Sequence, residues 1–168
     1  MEIRVLVSAD AEKCQALRLQ ALLECPTAFS SSYEEERETP LAEVARRLMP
    51  ADTVVFGAFD GQRLVGTAVL HRETRRKRAH IAVVWGMYVD PGFRRRGVGR
   101  KLVERLLSHA AQMRGLRKIT LGVNAANPAA IALYEAVGFE SFGVEPGFLL
   151  VDEVLQDEVH MAYVFAET

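Results

Sequence analysis

The sequence predicts an α/β fold of the mixed α+β kind, a mostly antiparallel sheet of about seven strands with helices on both faces. Two observations predict it. The segments run strand, two helices, three strands, helix, strand, helix and two closing strands, an order that layers helices against one sheet. Only the strand-helix-strand unit around residues 81 to 123 demands a parallel crossover, which leaves the other neighbours free to pair antiparallel. A length of 168 residues suits one domain, 1–168, with a sizeable core.

Each element has a local cause. Ile3 to Val7 alternates as a first strand, and Asp10 stands as N-cap to a helix with Cys14, Leu17 and Ala21 on one face, stopped near Cys25-Pro26. Thr27 to Glu38 is polar and reads as a loop. Thr39-Pro40 then supply a cap and a proline for the first helical position, and Leu41, Val44, Ala45 and Leu48 form the buried stripe of a second helix. Thr53 to Phe59 and Arg63 to Leu70 flank Asp60-Gly61, a strong hairpin signal, and the basic stretch Arg72 to Arg78 reads as a solvated loop.

Ala79 to Val89 is rich in β-branched and aromatic residues, and Gly86 inside it marks a bulge or a close backbone approach. From Val98 the period turns helical, with Val103, Leu106, Leu107 and Ala110 on one face and Gly115 just past the end. Arg117 to Val123 alternates as a strand. Asn127-Pro128 opens another helix, which brings Ala130, Leu133, Tyr134 and Val137 together and closes at Gly138. Phe139 to Val151 and Val159 to Phe165 finish the chain as strands.

Twenty-one basic side chains against 22 acidic ones leave a net charge of -1. No global positive field favours nucleic acid or an anionic membrane, so neither is expected as a partner. No basic, apolar leader opens the chain, and the longest apolar run, Ile81 to Val89, is too short to span a bilayer; a cytoplasmic location is the expectation. Cys14 and Cys25, about 16 Å apart if the segment between them is helical, read as reduced thiols. The closing strands offer an edge on which a homodimer could form.

Gly97 and Gly99 sit where a strand gives way to a helix, leaving main-chain N–H groups unshielded at its positive end. Arg94, Arg95, Arg96, Arg100 and Lys101 surround the turn, so an anion there meets backbone donors and cations together, and a pyrophosphate suits it. The nucleotide fingerprints fail: no Gly-x-x-x-x-Gly-Lys-Ser/Thr occurs, and the third glycine of G-x-G-x-x-G would fall at Leu102. A turn-forming glycine pair with solvated arginines is the plain alternative.

Met87-Tyr88-Val89-Asp90-Pro91 followed by Arg94-x-x-Gly97-x-Gly99 resembles the signature of the GNAT acetyltransferases. Asn127 to Phe139, reading NPAAIALYEAVGF, resembles that family's second signature, and the two stand about 30 residues apart in the family's order. The resemblance implies a GNAT-like sheet with one parallel strand pair splayed apart, and acetyl-CoA as cosubstrate with no metal. It further implies that the run Arg94, Arg95, Arg96, Gly97, Val98, Gly99 and Arg100 cradles the pyrophosphate, chiefly through its amides. Met87 and Val89 would pair with the pantetheine arm, Asn127 would bond the same arm, and a main-chain N–H near Tyr88 would steady the oxyanion. A bulge at Gly86 would open the slot.

The implied reaction is direct attack of a primary amine on the acetyl thioester, the acceptor being a small-molecule amine or a protein N-terminal amine. An alkyl amine of pKa about 10.4 is neutral to roughly one part in a thousand at pH 7, which costs about 4 kcal/mol, so a base or a proton path matters. Tyr134 stands where similar enzymes place a phenol that protonates the leaving sulfur; a core tyrosine is the alternative. No acid occurs at Trp85 or Gly86, where several relatives carry a glutamate base, and Trp85 reads as core. Glu35, with Glu34 and Glu36 beside it in the loop expected to border the acceptor groove, is the choice for the base, with His80 and His160 as further options and a water chain as the rival. A non-catalytic acyl-CoA-binding sensor is the second reading, and the presence of Tyr134 counts against it.

Overall fold

The computed structural model describes residues 1 to 166. Among them, strands β1 (Glu2–Val5), β2 (Thr53–Asp60), β3 (Arg63–Arg72), β4 (Ile81–Val89), β5 (Lys118–Asn124), β6 (Glu140–Val151) and β7 (Val154–Val164) form one sheet in the order β1-β2-β3-β4-β5-β7-β6. Only β4 and β5 pair parallel, as the single predicted crossover requires. That crossover runs through α4 (Val98–Ala110), which shares one face of the sheet with α5 (Pro128–Glu135). Helices α1 (Ala11–Glu24), α2 (Tyr33–Glu36) and α3 (Leu41–Arg47) lie on the other.

Strand alternation feeds a separate core on each face. Phe56, Val65, Leu70, Val84, Leu102, Leu106, Ile119 and Met161 pack on the α4 side, and Leu6, Leu17, Val55, Phe59, Leu64 and Val69 on the α1 side. Leu102 and Leu106 are fully buried where α4 crosses the sheet. Truncating either to alanine costs about 2–5 kcal/mol, enough to loosen the helix whose first turn forms part of the site.

The structure corrects several boundaries. Strand β7 begins at Val154 rather than Val159, because Asp152 and Glu153 take φ of 48° and 64° and make a two-residue hairpin turn. Tyr33 to Glu36, expected as loop, is a short helical turn started by a reciprocal Ser32/Glu35 capping box. Asp10 does not cap α1 with its side chain; its carboxylate accepts the Val7 N–H at 2.9 Å and the Arg4 guanidinium at 2.7 Å, which fastens the end of β1 to the start of α1. Pro40 occupies the cap of α3, not its first turn. Arg72 belongs to β3, and its guanidinium bonds the carbonyls of Ala79 and Arg114.

Candidate active site

Thr67 of β3 faces Tyr88 and Val69 faces Trp85, so Gly86 and Met87 together oppose Ala68. This is the bulge that Gly86 foretold, with φ at 62° and the Thr67 hydroxyl donating to its carbonyl at 3.2 Å. The extra residue switches the facing of the strand: Ala82 and Val84 before it, and Met87 and Val89 after it, all pack on the α4-side core. Parallel pairing with β5 ends at Val83 and Thr120, and a gap separates the strands beyond.

The Asp90 N–H donates to the Val65 carbonyl on β3. Alternation then turns the Tyr88 amide toward β3 as well and points those of Met87 and Val89 into the gap. The strand amides near Tyr88 that are left open to the gap are therefore those of its neighbours, Met87 and Val89, and not its own. The Tyr88 phenol leaves the site altogether, donating to Glu24 at 2.6 Å on α1, and burial beside that carboxylate pushes its pKa up. The Val89 carbonyl accepts from Arg94 Nε at 2.8 Å.

After β4 the chain is pinned by Asp90, which is buried and accepts from Arg63 at 2.7 Å, Gln20 at 3.3 Å and the Gly92 N–H at 2.9 Å. Burial alone would raise its pKa, but these donors hold its carboxyl below the usual range. Arg95 and Gly97 then take φ of 60° and 76°. Such left-handed residues among ordinary ones turn successive amides inward and make an anion-binding concavity. None of the N–H groups of residues 95 to 100 donates a hydrogen bond among the described residues, and no side chain caps α4. At Gly99 a Cβ would stand 3.2 Å from Leu133 and 3.3 Å from Met87, so glycine lets the head of α4 press close to β4 and α5.

The arginines divide by task. Arg94 is a strut, tied to Glu24 of α1 and to the Val89 carbonyl. Arg96 lies over Phe93 at 5.3 Å, and Arg100 pairs with Glu104 at 2.7 Å. Arg95 and Lys101 have no side-chain partner among the described residues and remain available to an anion.

Asn127 caps α5, its Oδ1 accepting the Ala130 N–H at 3.1 Å, which leaves Nδ2 to donate toward the cleft. Two turns on, Tyr134 is 4% exposed and packs edge-on against Phe139 at 5.6 Å. Its hydroxyl has no hydrogen-bond partner among the described residues, and burial pushes its pKa well above that of a free phenol. It stays protonated at any working pH.

A cleft of about 800 Å³ passes through the gap in the sheet. Met87, Asn127, Ala130 and Tyr134 line it from the α4 and α5 side; Cys14, Arg18, Ser31, Glu36, Leu48 and Phe148 line it from the other. Of the three adjacent glutamates only Glu36 reaches the lining, where burial would raise its pKa but Arg18 at 2.9 Å, with Ser31 and Arg47, holds it down. The structure does not bring Glu35 to the cleft: its exposed carboxylate turns back to accept from the Ser32 N–H at 2.7 Å and the Ser32 hydroxyl at 3.0 Å. Glu34 is outside the lining too, and His80 sits before β4 at its far end, its carbonyl holding the Arg117 and Lys118 amides. Trp85, expected in the core, is 52% exposed and lines the cleft. Sequence reasoning missed Gly122 and Glu158, which also line it. The alternation of Gln156, Glu158 and His160 was the signal, masked by its polar composition.

The family model for the acetyltransferase (GNAT) family matches residues 19–139. The chain belongs to the GNAT acetyltransferase family. This GNAT chain is 33% identical over 142 residues to the N-alpha-acetyltransferase RimI of Mycobacterium tuberculosis, a match covering 84% of it and 80% of that protein. It is 38% identical over 81 residues to the ribosomal protein bS18-alanine N-acetyltransferase of Salmonella typhimurium, covering 48% of it and 54% of that enzyme. With an uncharacterized Mycobacterium leprae protein the matched share is 36% of the longer chain, so the match spans about a third to a half of these two relatives' lengths.

Among solved structures, a GNAT acetyltransferase of Streptococcus pneumoniae aligns with a TM-score of 0.89 at 21% identity, over 98% of this chain and 99% of that one. The yncA protein of Salmonella typhimurium, solved with acetyl-CoA, aligns with a TM-score of 0.81 at 22% identity, over 100% and 95%. At such identities the likeness speaks for the fold. Among the described residues no helix is long and apolar enough to cross a membrane.

Proposed function

We propose that this GNAT chain, acting as one catalytic domain over 1–168, moves the acetyl group of acetyl-CoA to the Nα-amine of a protein or peptide by direct attack. The observation that carries this reading is the row of unpaired N–H groups from residues 95 to 100, opening beside a gap that exposes the Met87 and Val89 main chain and the Tyr134 hydroxyl. Donors gathered at the head of a 13-residue helix suit a pyrophosphate, and Arg95 and Lys101 add mobile charge. The Met87 and Val89 strand edge suits an extended, amide-bearing arm, with Asn127 Nδ2 on the opposite wall. Acetyl-CoA supplies the acyl group as a thioester. An N–H of Met87 or Val89 steadies the carbonyl oxygen as charge gathers there, and the Tyr134 hydroxyl gives its proton to the sulfur.

An Nα-amine has a pKa of about 8 and is roughly a tenth neutral at pH 7, against about one part in a thousand for a lysine amine. Two relatives named for Nα or alanine acetylation support the same acceptor class. Calorimetric titration with acetyl-CoA, followed by a thiol-release assay over an amine panel that includes peptides beginning in alanine, tests the reading. Saturable binding and release with the peptides are expected. No heat on titration overturns it, and release with polyamines alone overturns the acceptor.

A further inference from the structure

We propose that Glu158 takes the proton from the acceptor amine, working from the face of the sheet opposite Tyr134; this rests on the acetyl-transfer reading above. Val159, Met161 and Tyr163 of β7 pack on the α4-side core, so alternation sends Glu158 and His160 to the α1 side. The anion-binding amides belong to the head of α4, which leaves the α1-side half of the cleft to the acceptor. Gly122 lies beside Glu158 on the neighbouring strand. A Cβ there would overlap the Glu158 carboxylate, so this glycine makes the seat in which the carboxylate rests.

What distinguishes Glu158 is its lack of ties. Glu36 is held by Arg18, Asp10 by Arg4 and Asp90 by Arg63. The Glu158 side chain is only 17% exposed, yet it accepts no hydrogen bond among the described residues, and its one ion-pair partner is His160 Nδ1 at 3.7 Å. A shielded carboxylate without donors weakens the fold, and such groups concentrate at functional sites. Burial, reinforced by Glu145 across on β6 and opposed by His160, raises its pKa toward the range useful to a base. The other charged or titratable groups facing the same chamber are the Arg18 and Glu36 pair, Arg47, which pairs with Glu43 at 3.2 Å, and Cys14, whose thiol burial pushes up to about 11.

In the transfer the nitrogen lone pair forms the N–C bond as the C–S bond breaks. The nitrogen's proton passes to a Glu158 oxygen, and the sulfur takes the proton of Tyr134. His160, which also touches Glu145 at 3.0 Å, offers the first proton a route to solvent. Both side chains then reset by exchange with water.

The test compares wild type with Glu158→Gln and Gly122→Ala on a peptide beginning in alanine, alongside acetyl-CoA calorimetry, thermal unfolding and carboxylate NMR of the free protein. Glu158→Gln is expected to lower kcat at pH 7 about 100-fold or more and to abolish the acidic limb of the kcat/KM profile. Its acetyl-CoA affinity stays within about threefold, and its Tm is no lower, because a neutral amide sheds the burial cost of a charge. Gly122→Ala, which displaces the carboxylate without removing it, is expected to lower kcat about tenfold and to shift the Glu158 titration midpoint. Should the glutamine variant fail to fold, Gly122→Ala decides. A Glu158→Gln rate within about threefold of wild type with an unaltered pH profile overturns the proposal, as does joint loss of rate, Tm and acetyl-CoA affinity. Wild type that binds acetyl-CoA yet acetylates no amine overturns both readings, whereas brisk wild-type turnover with an unimpaired Glu158→Gln variant overturns this one alone.

Discussion

The Tyr134 ring is buried while its hydroxyl, protonated and without a partner among the described residues, opens on the cleft, and these properties together shape what its removal does. Tyr134→Phe deletes a polar group that bonds nothing in the free chain, so the stability cost is close to zero. Under the proposed mechanism the proton it would deliver is needed only as the sulfur departs. We expect kcat to fall by about 100-fold or more while acetyl-CoA affinity stays within about threefold, measured by steady-state kinetics and calorimetry. Equal losses in both would remove Tyr134 from the role. The place of Tyr134 at the cleft was legible in the sequence because it lies inside a motif whose spacing to the glycine turn is itself informative. Glu35 was a poor choice because a charge run says nothing about which carboxylate turns inward, and the Ser32 capping box claims it.

At the scale of elements, the site depends on two left-handed glycines with different surroundings. Gly97 has open space around its missing Cβ, so Gly97→Ala suffers only backbone strain, about 1 kcal/mol in denaturant unfolding, with a matching loss of acetyl-CoA affinity. Gly86→Val meets both strain and the Val69 side chain, whose Cγ2 would lie 3.1 Å from the new Cβ. It should cost more than the Gly97 change and narrow the gap, which calorimetry would register as the larger loss in acetyl-CoA affinity. The bulge could be foreseen because a glycine within a β-branched run weakens the strand unless the backbone bends or is closely approached there. The early start of β7 could not, since Gln156-Asp157-Glu158 carries no apolar alternation, and that one omission concealed Glu158.

Over the whole molecule, the element order and the lone parallel pair were readable because apolar periodicity changes from element to element and turn residues such as Gly61, Gly97, Gly115 and Gly138 mark the boundaries. Contacts between distant segments were not: nothing local in Arg4, Asp10, Arg63 or Asp90 announces that they pair. Those two aspartates bear on acid tolerance. Arg4 outweighs burial at Asp10, and the Gly92, Gln20 and Arg63 donors do so at Asp90, so both fold with carboxyls below the ordinary value. A depressed folded pKa adds stability above the unfolded pKa of about 3.9 and forfeits it as pH falls through the folded value. The Tm should therefore hold steady from neutral pH to about 4.5 and drop below that, and Asp10→Asn with Asp90→Asn should flatten the drop. Under the proposed acetyl transfer, the cleft that runs through the sheet, lined from both faces, would give the donor and the amine separate doorways, so that neither would block the other's arrival or have to leave before its counterpart is seated. Double-reciprocal plots of initial velocity should cross; parallel lines, the mark of an acetylated protein waiting between visits, are not expected.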